Sequence, residues 1–205
     1  MKKVSITGTV REDLGKKATK AVRSEGLIPC VLYGGSEVTH FSVRPSAVRD
    51  LIYAPDFKLA EIEVEGKNYT AILKDIQYHP VTDDIRHIDF LALEDGRKVK
   101  VEIPVTFTGT SPGVRLGGKL QQNLRRVKIK TTPKNLVDHL TVNVSKLELG
   151  QSVRVRDIDP GEGIEIMSSA GIPVATVEIP RALRSASTAA AKAGDAEEEE
   201  TAAEE

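Results

Sequence analysis

Lys16, Lys20 and Arg23 fall at i, i+4 and i+7, the spacing that gathers side chains on one face of a helix. Ala18, Ala21 and Val22 fall on another face. A helix built this way can dock its apolar side on a larger body and offer its cations to phosphates; an ordinary solvated helix face reads the same way. A second constellation is Ile85-Arg86-His87-Ile88-Asp89-Phe90. In a strand, His87 and Asp89 project from one face, Ile88 and Phe90 from the other. An aspartate accepts hydrogen bonds from base amino groups, and a histidine stacks on bases or donates to their edges and to phosphates. The same two residues also suit a structural pair at a sheet edge. Together with His79, Asp83 and Asp84 they could ligate a divalent metal, but their spacing matches no strong metal motif.

Signatures of catalysis are missing. The chain has no phosphate-binding glycine loop, no zinc-protease helix and no nucleophile elbow. Gly34-Gly35 and Gly117-Gly118 read as turns. Cys30 is the single cysteine. It lies inside an apolar run, where a small buried residue is a better reading than a reactive thiol. It also excludes an intramolecular disulfide and a cysteine-based zinc site. Neither a metal nor a cofactor is expected.

The elements that must position these residues are mostly strands. Val4, Ile6, Gly8 and Val10 alternate with polar residues, the period of a half-buried strand. A helix is expected over Lys17–Glu25, stopped by Gly26. Strands follow at Ile28–Tyr33 and Val38–Val43. Pro45 opens a short helix carrying Val48, Leu51 and Ile52. Leu59–Val64 and Tyr69–Ile76 form a hairpin around Glu65-Gly66-Lys67, and Ile85–Leu93 is a further strand. Glu94-Asp95-Gly96 marks a boundary. Beyond it, strand patterns recur at Val99–Phe107, Lys119–Lys130, Leu140–Val144, Ser152–Val155 and Pro173–Ile179, punctuated by Gly and Pro, as in an all-β domain.

The 205 residues carry a net charge of only −1, but the charge is segregated. Residues 185–205 hold one lysine against seven acids, a net −6, which leaves 28 basic and 23 acidic groups, a net +5, on the rest. Residues 1–25 hold seven basic and three acidic groups, and residues 115–134 seven basic and none acidic. Basic patches on a chain with an acidic end suggest a polyanionic partner. From about Arg184 the composition is Ser, Thr, Ala, Gly and Glu, too polar to offset its ordering entropy, so a disordered tail is expected. Apolar runs are far short of the ~20 residues that span a bilayer, and Ser5, Thr7, Gly8 and Thr9 interrupt any signal sequence after Met1-Lys2-Lys3. A cytoplasmic protein with no membrane partner is expected.

The constellations fall in order along a known pattern. The chain reads Val10-Arg11-Glu12-Asp13-Leu14-Gly15-Lys16-Lys17-Ala18, then Ile28-Pro29-Cys30-Val31-Leu32-Tyr33-Gly34-Gly35, then Lys74-Asp75-Ile76-Gln77-Tyr78-His79-Pro80 and His87-Ile88-Asp89-Phe90. This resembles the bacterial large-subunit ribosomal protein family that binds 5S ribosomal RNA, in its long two-domain form, the general stress protein CTC family. Later residues resemble that form too: Ile103-Pro104-Val105, Gly113 to Gly117-Gly118-Lys119-Leu120, and Val144-Ser145-Lys146-Leu147 to Gly150.

The resemblance implies a six-stranded β-barrel over residues 1–93, similar to the anticodon-binding barrels of glutaminyl-tRNA synthetase. It implies a second β domain over residues 94–183, and leaves residues 184–205 as the tail. The fold expected is mostly β with short helices. The implied partner is 5S ribosomal RNA at its internal loop E, within the large subunit, with neighbouring ribosomal proteins or ribosomal RNA as partners of the second domain. Arg11, Lys16, Thr19, Lys20, Tyr33, His87 and Asp89 match RNA-contacting positions of the family. Ala21 and Tyr78 depart from it, standing where many members carry cations. Arg23, with Lys17, is placed to compensate, so Arg23 joins the expected RNA-binding set. A stress-induced adaptor that meets the ribosome only transiently is the alternative that the sequence leaves open.

Overall fold

The computed structural model describes residues 1–35 and 37–180. The tail expected at residues 184–205 lies outside the described residues. Strand β1 (Lys3–Val10) leads into helix α1 (Lys16–Ser24). Then come β2 (Ile28–Tyr33), β3 (Thr39–Val43), α2 (Pro45–Ile52), β4 (Leu59–Val64), β5 (Lys67–Tyr78) and β6 (Ile85–Ala92). These six strands close into a barrel in the order β1-β3-β2-β6-β5-β4. Closure needs two parallel pairings between strands distant in sequence. Lys3 to Gly8 lie beside Leu59 to Val64, and Cys30 to Tyr33 beside Ile88 to Leu91.

Apolar side chains from the strands fill the barrel. Ile6, Ile28, Cys30, Leu32, Phe41, Val43, Ile62, Val64, Ile88 and Phe90 are all buried. The Phe41 and Phe90 rings stack tilted, with centroids 5.9 Å apart, a separation at which aromatic pairs attract. Helix α2 starts at Pro45 and buries Val48 and Leu51 against this core. Each such side chain contributes on the order of 1.5–3 kcal/mol by leaving water.

The β4–β5 hairpin turns at Glu65-Gly66, with φ of +50° and +74°. Positive φ at both central residues matches the right-handed twist of the flanking strands. Strand β5 is longer than the expected 69–76 because it is shared. It pairs with β4 through Lys67–Ala71 and with β6 through Ala71–Tyr78. The register shifts between Leu73 and Asp75, and this bulge aligns Asp75 with Asp89 and Gln77 with His87.

Seven further strands follow the barrel: β7 (Val99–Thr108), β8 (Lys119–Gln122), β9 (Arg126–Thr131), β10 (Leu140–Asn143), β11 (Ser152–Arg154), β12 (Glu165–Ile166) and β13 (Pro173–Glu178). They form two sheets, β10-β7-β9-β12 and β11-β13-β8. The single strand expected over Lys119–Lys130 is therefore two strands in different sheets. The apolar alternation lapses at Gln121-Gln122-Asn123, and the chain turns there. The Asn123 and Leu124 N–H groups both donate to the Val174 carbonyl, at 2.9 and 3.1 Å. By packing, the described chain divides into two compact units, residues 1–104 with 126–140 and 160–167, and residues 105–125 with 141–159 and 168–180.

In the second unit, two of the sequence motifs meet. The short helix α3 (Pro112–Arg115) is capped by Ser111, whose hydroxyl donates to the Leu147 carbonyl at 2.5 Å. The Gly113 N–H donates to the same oxygen at 3.0 Å. A Cβ at Gly113 would sit 2.7–2.8 Å from the backbone of Glu148 and Leu149, so only glycine fits this approach. Among the described residues, no helix is long and apolar enough to cross a membrane.

Candidate nucleic-acid interface

Facing partners in a sheet share a face. The barrel registers align Val31 with His40, Val31 with Asp89, and Asp89 with Asp75. Just beyond β1, the Arg11 N–H donates to the His40 carbonyl at 2.9 Å. The outer surface thus carries a continuous row, Arg11–His40–Val31–Asp89–Asp75, drawn from the end of β1 and from β3, β2, β6 and β5. His87 and Asp89 lie on this face as expected, while Ile88 and Phe90 between them are fully buried. Gln77 stands opposite His87.

The electrostatics of the row are unbalanced at both ends. Nε and Nη1 of Arg11 are cut off from solvent and have no hydrogen-bond partner. At the other end, two carboxylates stand directly opposite one another, an arrangement that repels. His87 Nδ1 lies 2.7 Å from Asp89 Oδ1, yet no hydrogen bond joins them and, among the described residues, Nδ1 has no other partner. Burial, then Asp89 and Asp75, push the Tyr33 hydroxyl above its ordinary range.

Helix α1 supplies the other expected residues. Its inward stripe differs from the expected Ala18, Ala21 and Val22. Ala18 and Val22 are half-buried together with Thr19 and Arg23, and Ala21 is exposed. The reason is geometric: 18/22 and 19/23 are adjacent i, i+4 rows, and both turn toward the barrel. Arg23 is thereby taken off the solvent face shared by Lys16 and Lys20. Its Nε donates to the Arg86 carbonyl at 3.1 Å. Burial, then Arg86 and Arg11, pull the Arg23 guanidinium below its ordinary range, so three like charges press on one another here. Lys16 and Lys20 are exposed. The Thr19 hydroxyl donates to the Gly15 carbonyl at 2.8 Å, leaving its oxygen free only to accept. No side chain caps the N-terminus of α1, and its first turn holds no acid.

The structure thus brings Arg11, Tyr33, His87 and Asp89 onto one barrel face and sets Arg23 beside it. Lys16, Thr19 and Lys20 are on α1. His40, Asp75, Gln77 and Arg86 belong to the same neighbourhood and were not anticipated. Asp75, Gln77 and Arg86 stand within the quoted motifs, but none was assigned to the site.

His79 has a different task. Its Nδ1 accepts the backbone N–H groups of Val81 and Thr82 at 3.3 and 3.2 Å. His79 N donates to Asp84 O and Asp83 N to His79 O, at 2.8 and 3.0 Å. These bonds tie the β5–β6 loop. Among the described residues, no group of three or more His, Cys, Asp or Glu side chains could hold a metal ion. Cys30 is buried, and burial pushes its thiol far above the ordinary range.

Two family models match the chain. Residues 6–90 match the ribosomal L25p family, and residues 98–181 match the C-terminal domain of ribosomal protein TL5. The chain is 44% identical to the large ribosomal subunit protein bL25 of Cytophaga hutchinsonii, over 94% of this chain and all of that one. It is 46% identical to the same-named protein of Porphyromonas gingivalis, over 91% of this chain and 97% of that one. For Bacteroides thetaiotaomicron the identity is 40%, over 94% of this chain and all of the relative.

Proposed function

The chain belongs to the ribosomal L25p family of large-subunit ribosomal proteins, in the form that carries a TL5-type C-terminal domain, and from this premise we propose that it binds 5S ribosomal RNA at the loop E region through the outer face of its barrel. It is a ribosomal protein and not an enzyme. The observation that carries the proposal is Arg11, a guanidinium with two buried unpartnered nitrogens, crowded by like charge and aligned with the Asp89 row.

The division of labour follows from chemistry. A-form RNA hides its bases in a deep, narrow groove, whereas an internal loop with non-Watson–Crick pairs displays them. Arg11, Arg23, Lys16 and Lys20 take phosphates, contacts that position the protein without reading sequence. A phosphate beside Arg11 and Arg23 relieves their mutual repulsion. Asp89 cannot face a phosphate and accepts from base N–H donors. Tyr33 and His87 supply a ring face and donors, and Thr19 offers an acceptor to a ribose hydroxyl. Residues 1–93 are the RNA-binding domain in this reading, and residues 94–183 meet neighbouring ribosomal proteins or ribosomal RNA. The site of action is the ribosome.

Footprinting of 5S RNA tests this. The full chain is expected to protect loop E and its flanking helix. Lys16→Ala and Lys20→Ala are each expected to weaken binding to all RNAs and flatten the log–log salt dependence by about 0.7–0.9. Asp89→Ala is expected to reduce discrimination against a fully paired control. Equal loss on both RNAs after Asp89→Ala would rule out base readout by that residue, and a footprint elsewhere on 5S RNA would overturn the proposal.

A further inference from the structure

The basic run at residues 115–134 has no place in the barrel face. Three of its seven cations lie on β9, where Arg126, Lys128 and Lys130 alternate with Val127, Ile129 and Thr131. The latter three are buried. Strand β7 is the partner, with Lys100 opposite Lys130, Glu102 opposite Lys128, and Pro104 opposite Arg126. Val99, Val101 and Ile103 are likewise buried. One face of the ribbon is therefore apolar and buried. The other carries four cations and a single acid, Glu102.

Two of those cations have acidic partners. Lys128 lies 3.5 Å from Glu102, and Lys130 lies 3.8 Å from Glu165 of β12. Lys100 and Arg126 are exposed and, among the described residues, have no acidic partner. They line a groove of about 680 Å³ whose wall includes Lys58, Lys74, Ile76 and Tyr78, and all of its lining belongs to the first compact unit. Tyr78 is 44% exposed and Tyr53 66% exposed. Burial raises the Tyr78 hydroxyl above its ordinary range, Tyr53 adds to the rise and Arg126 opposes it, so the three side chains are neighbours.

Unpaired cations beside exposed aromatic rings match an RNA strand, which repeats a phosphate and an aromatic face in every unit. An acidic peptide would satisfy the cations and leave Tyr78 unused. We propose that this groove is a second RNA-binding surface, taking an unpaired nucleotide stacked on Tyr78 with its flanking phosphates on Lys100 and Arg126. It uses none of the eight residues assigned to 5S RNA and does not depend on that assignment. The two surfaces adjoin at Asp75, which lines the groove and stands opposite Asp89.

The test uses the full chain carrying Lys16→Ala and Lys20→Ala, so that α1 contributes little. The probes are single-stranded octaadenylate RNA and an octaglutamate peptide. Adding Lys100→Ala and Arg126→Ala is expected to weaken octaadenylate binding about tenfold and to flatten its log–log salt slope by about 1.4, roughly 0.7 per single-strand phosphate. Adding Tyr78→Ala instead is expected to weaken binding by about tenfold, within the range for loss of one stacked base, with the slope unchanged. All three positions are exposed, so melting is expected to stay unaltered. Unchanged octaadenylate affinity and slope in the Lys100→Ala, Arg126→Ala chain would overturn the proposal. So would loss of octaglutamate binding while octaadenylate binding persists.

Discussion

A buried guanidinium nitrogen without an acceptor costs on the order of 1–3 kcal/mol, and Arg11 has two such nitrogens. In the proposed reading that cost is borne in the free protein and relieved when an RNA phosphate binds. Arg11→Met keeps the apolar stem and removes the charge. The expected outcome is therefore of opposite sign in two measurements: the melting temperature holds or rises, while 5S RNA affinity falls by about tenfold or more. A fall in melting temperature would show that the guanidinium is already satisfied. Cys30 makes a separate prediction. Its thiol titrates higher in the folded protein than in the unfolded chain. Above roughly pH 8.5 the unfolded chain loses a proton that the folded protein keeps. The raised folded value thus contributes nothing at neutral pH and costs stability as pH rises, by up to about 1.4 kcal/mol per pH unit. Urea denaturation at pH 8 and pH 10 is expected to show a steeper loss in the native sequence than in Cys30→Ala.

At the scale of elements, strands and helices act by turning residues toward or away from the site. Helix α1 commits its 18/22 and 19/23 rows to the barrel, so Arg23 joins the Arg11 cluster and Ala21 faces solvent. The bulge in β5 does similar work by setting Asp75 opposite Asp89. In the second unit, Ser111 and Gly113 fasten α3 to the Leu147 carbonyl. Gly113→Ala would force a Cβ into backbone atoms that cannot yield cheaply, with an expected loss of about 1–3 kcal/mol. The barrel core lies wholly within residues 4–92. The variant is therefore expected to bind 5S RNA normally while its second unit unfolds at lower denaturant, resolved by hydrogen exchange of residues 141–159. Equal loss of protection in both units would show that they unfold as one.

Across the whole molecule, the near-neutral net charge conceals a basic body of net +5 and a C-terminal segment of net −6. The barrel face and the β7–β9 ribbon each carry part of the body's positive charge, the first beside α1 and the second beside Tyr78. An acidic segment in the same chain competes with RNA for these cations only within about a Debye length, ~8 Å at physiological salt. Deleting residues 185–205 is expected to tighten non-specific RNA binding at low ionic strength and to leave it unchanged at high salt. Unchanged affinity at low salt would remove competition from the roles of that segment.

The elements were legible wherever physics is local. Alternation along Val4–Val10, the apolar strand Ile28–Tyr33, the proline opening α2 and the Glu65-Gly66 turn all depend on neighbours a few residues apart, and each was readable from the chain. His87 and Asp89 could be set on one face because a strand's side chains alternate whatever its partners. Three things depended on the tertiary structure. The run over Lys119–Lys130 was divided between two sheets by a carbonyl fifty residues away, that of Val174. The inward face of α1 was chosen by the barrel it packs on. The row Arg11–His40–Val31–Asp89–Asp75 exists only because β1, β3, β2, β6 and β5 close in that order. A sequence states that a strand has two faces, but which strands become neighbours, and in what register, is decided by non-local pairing across the closed barrel.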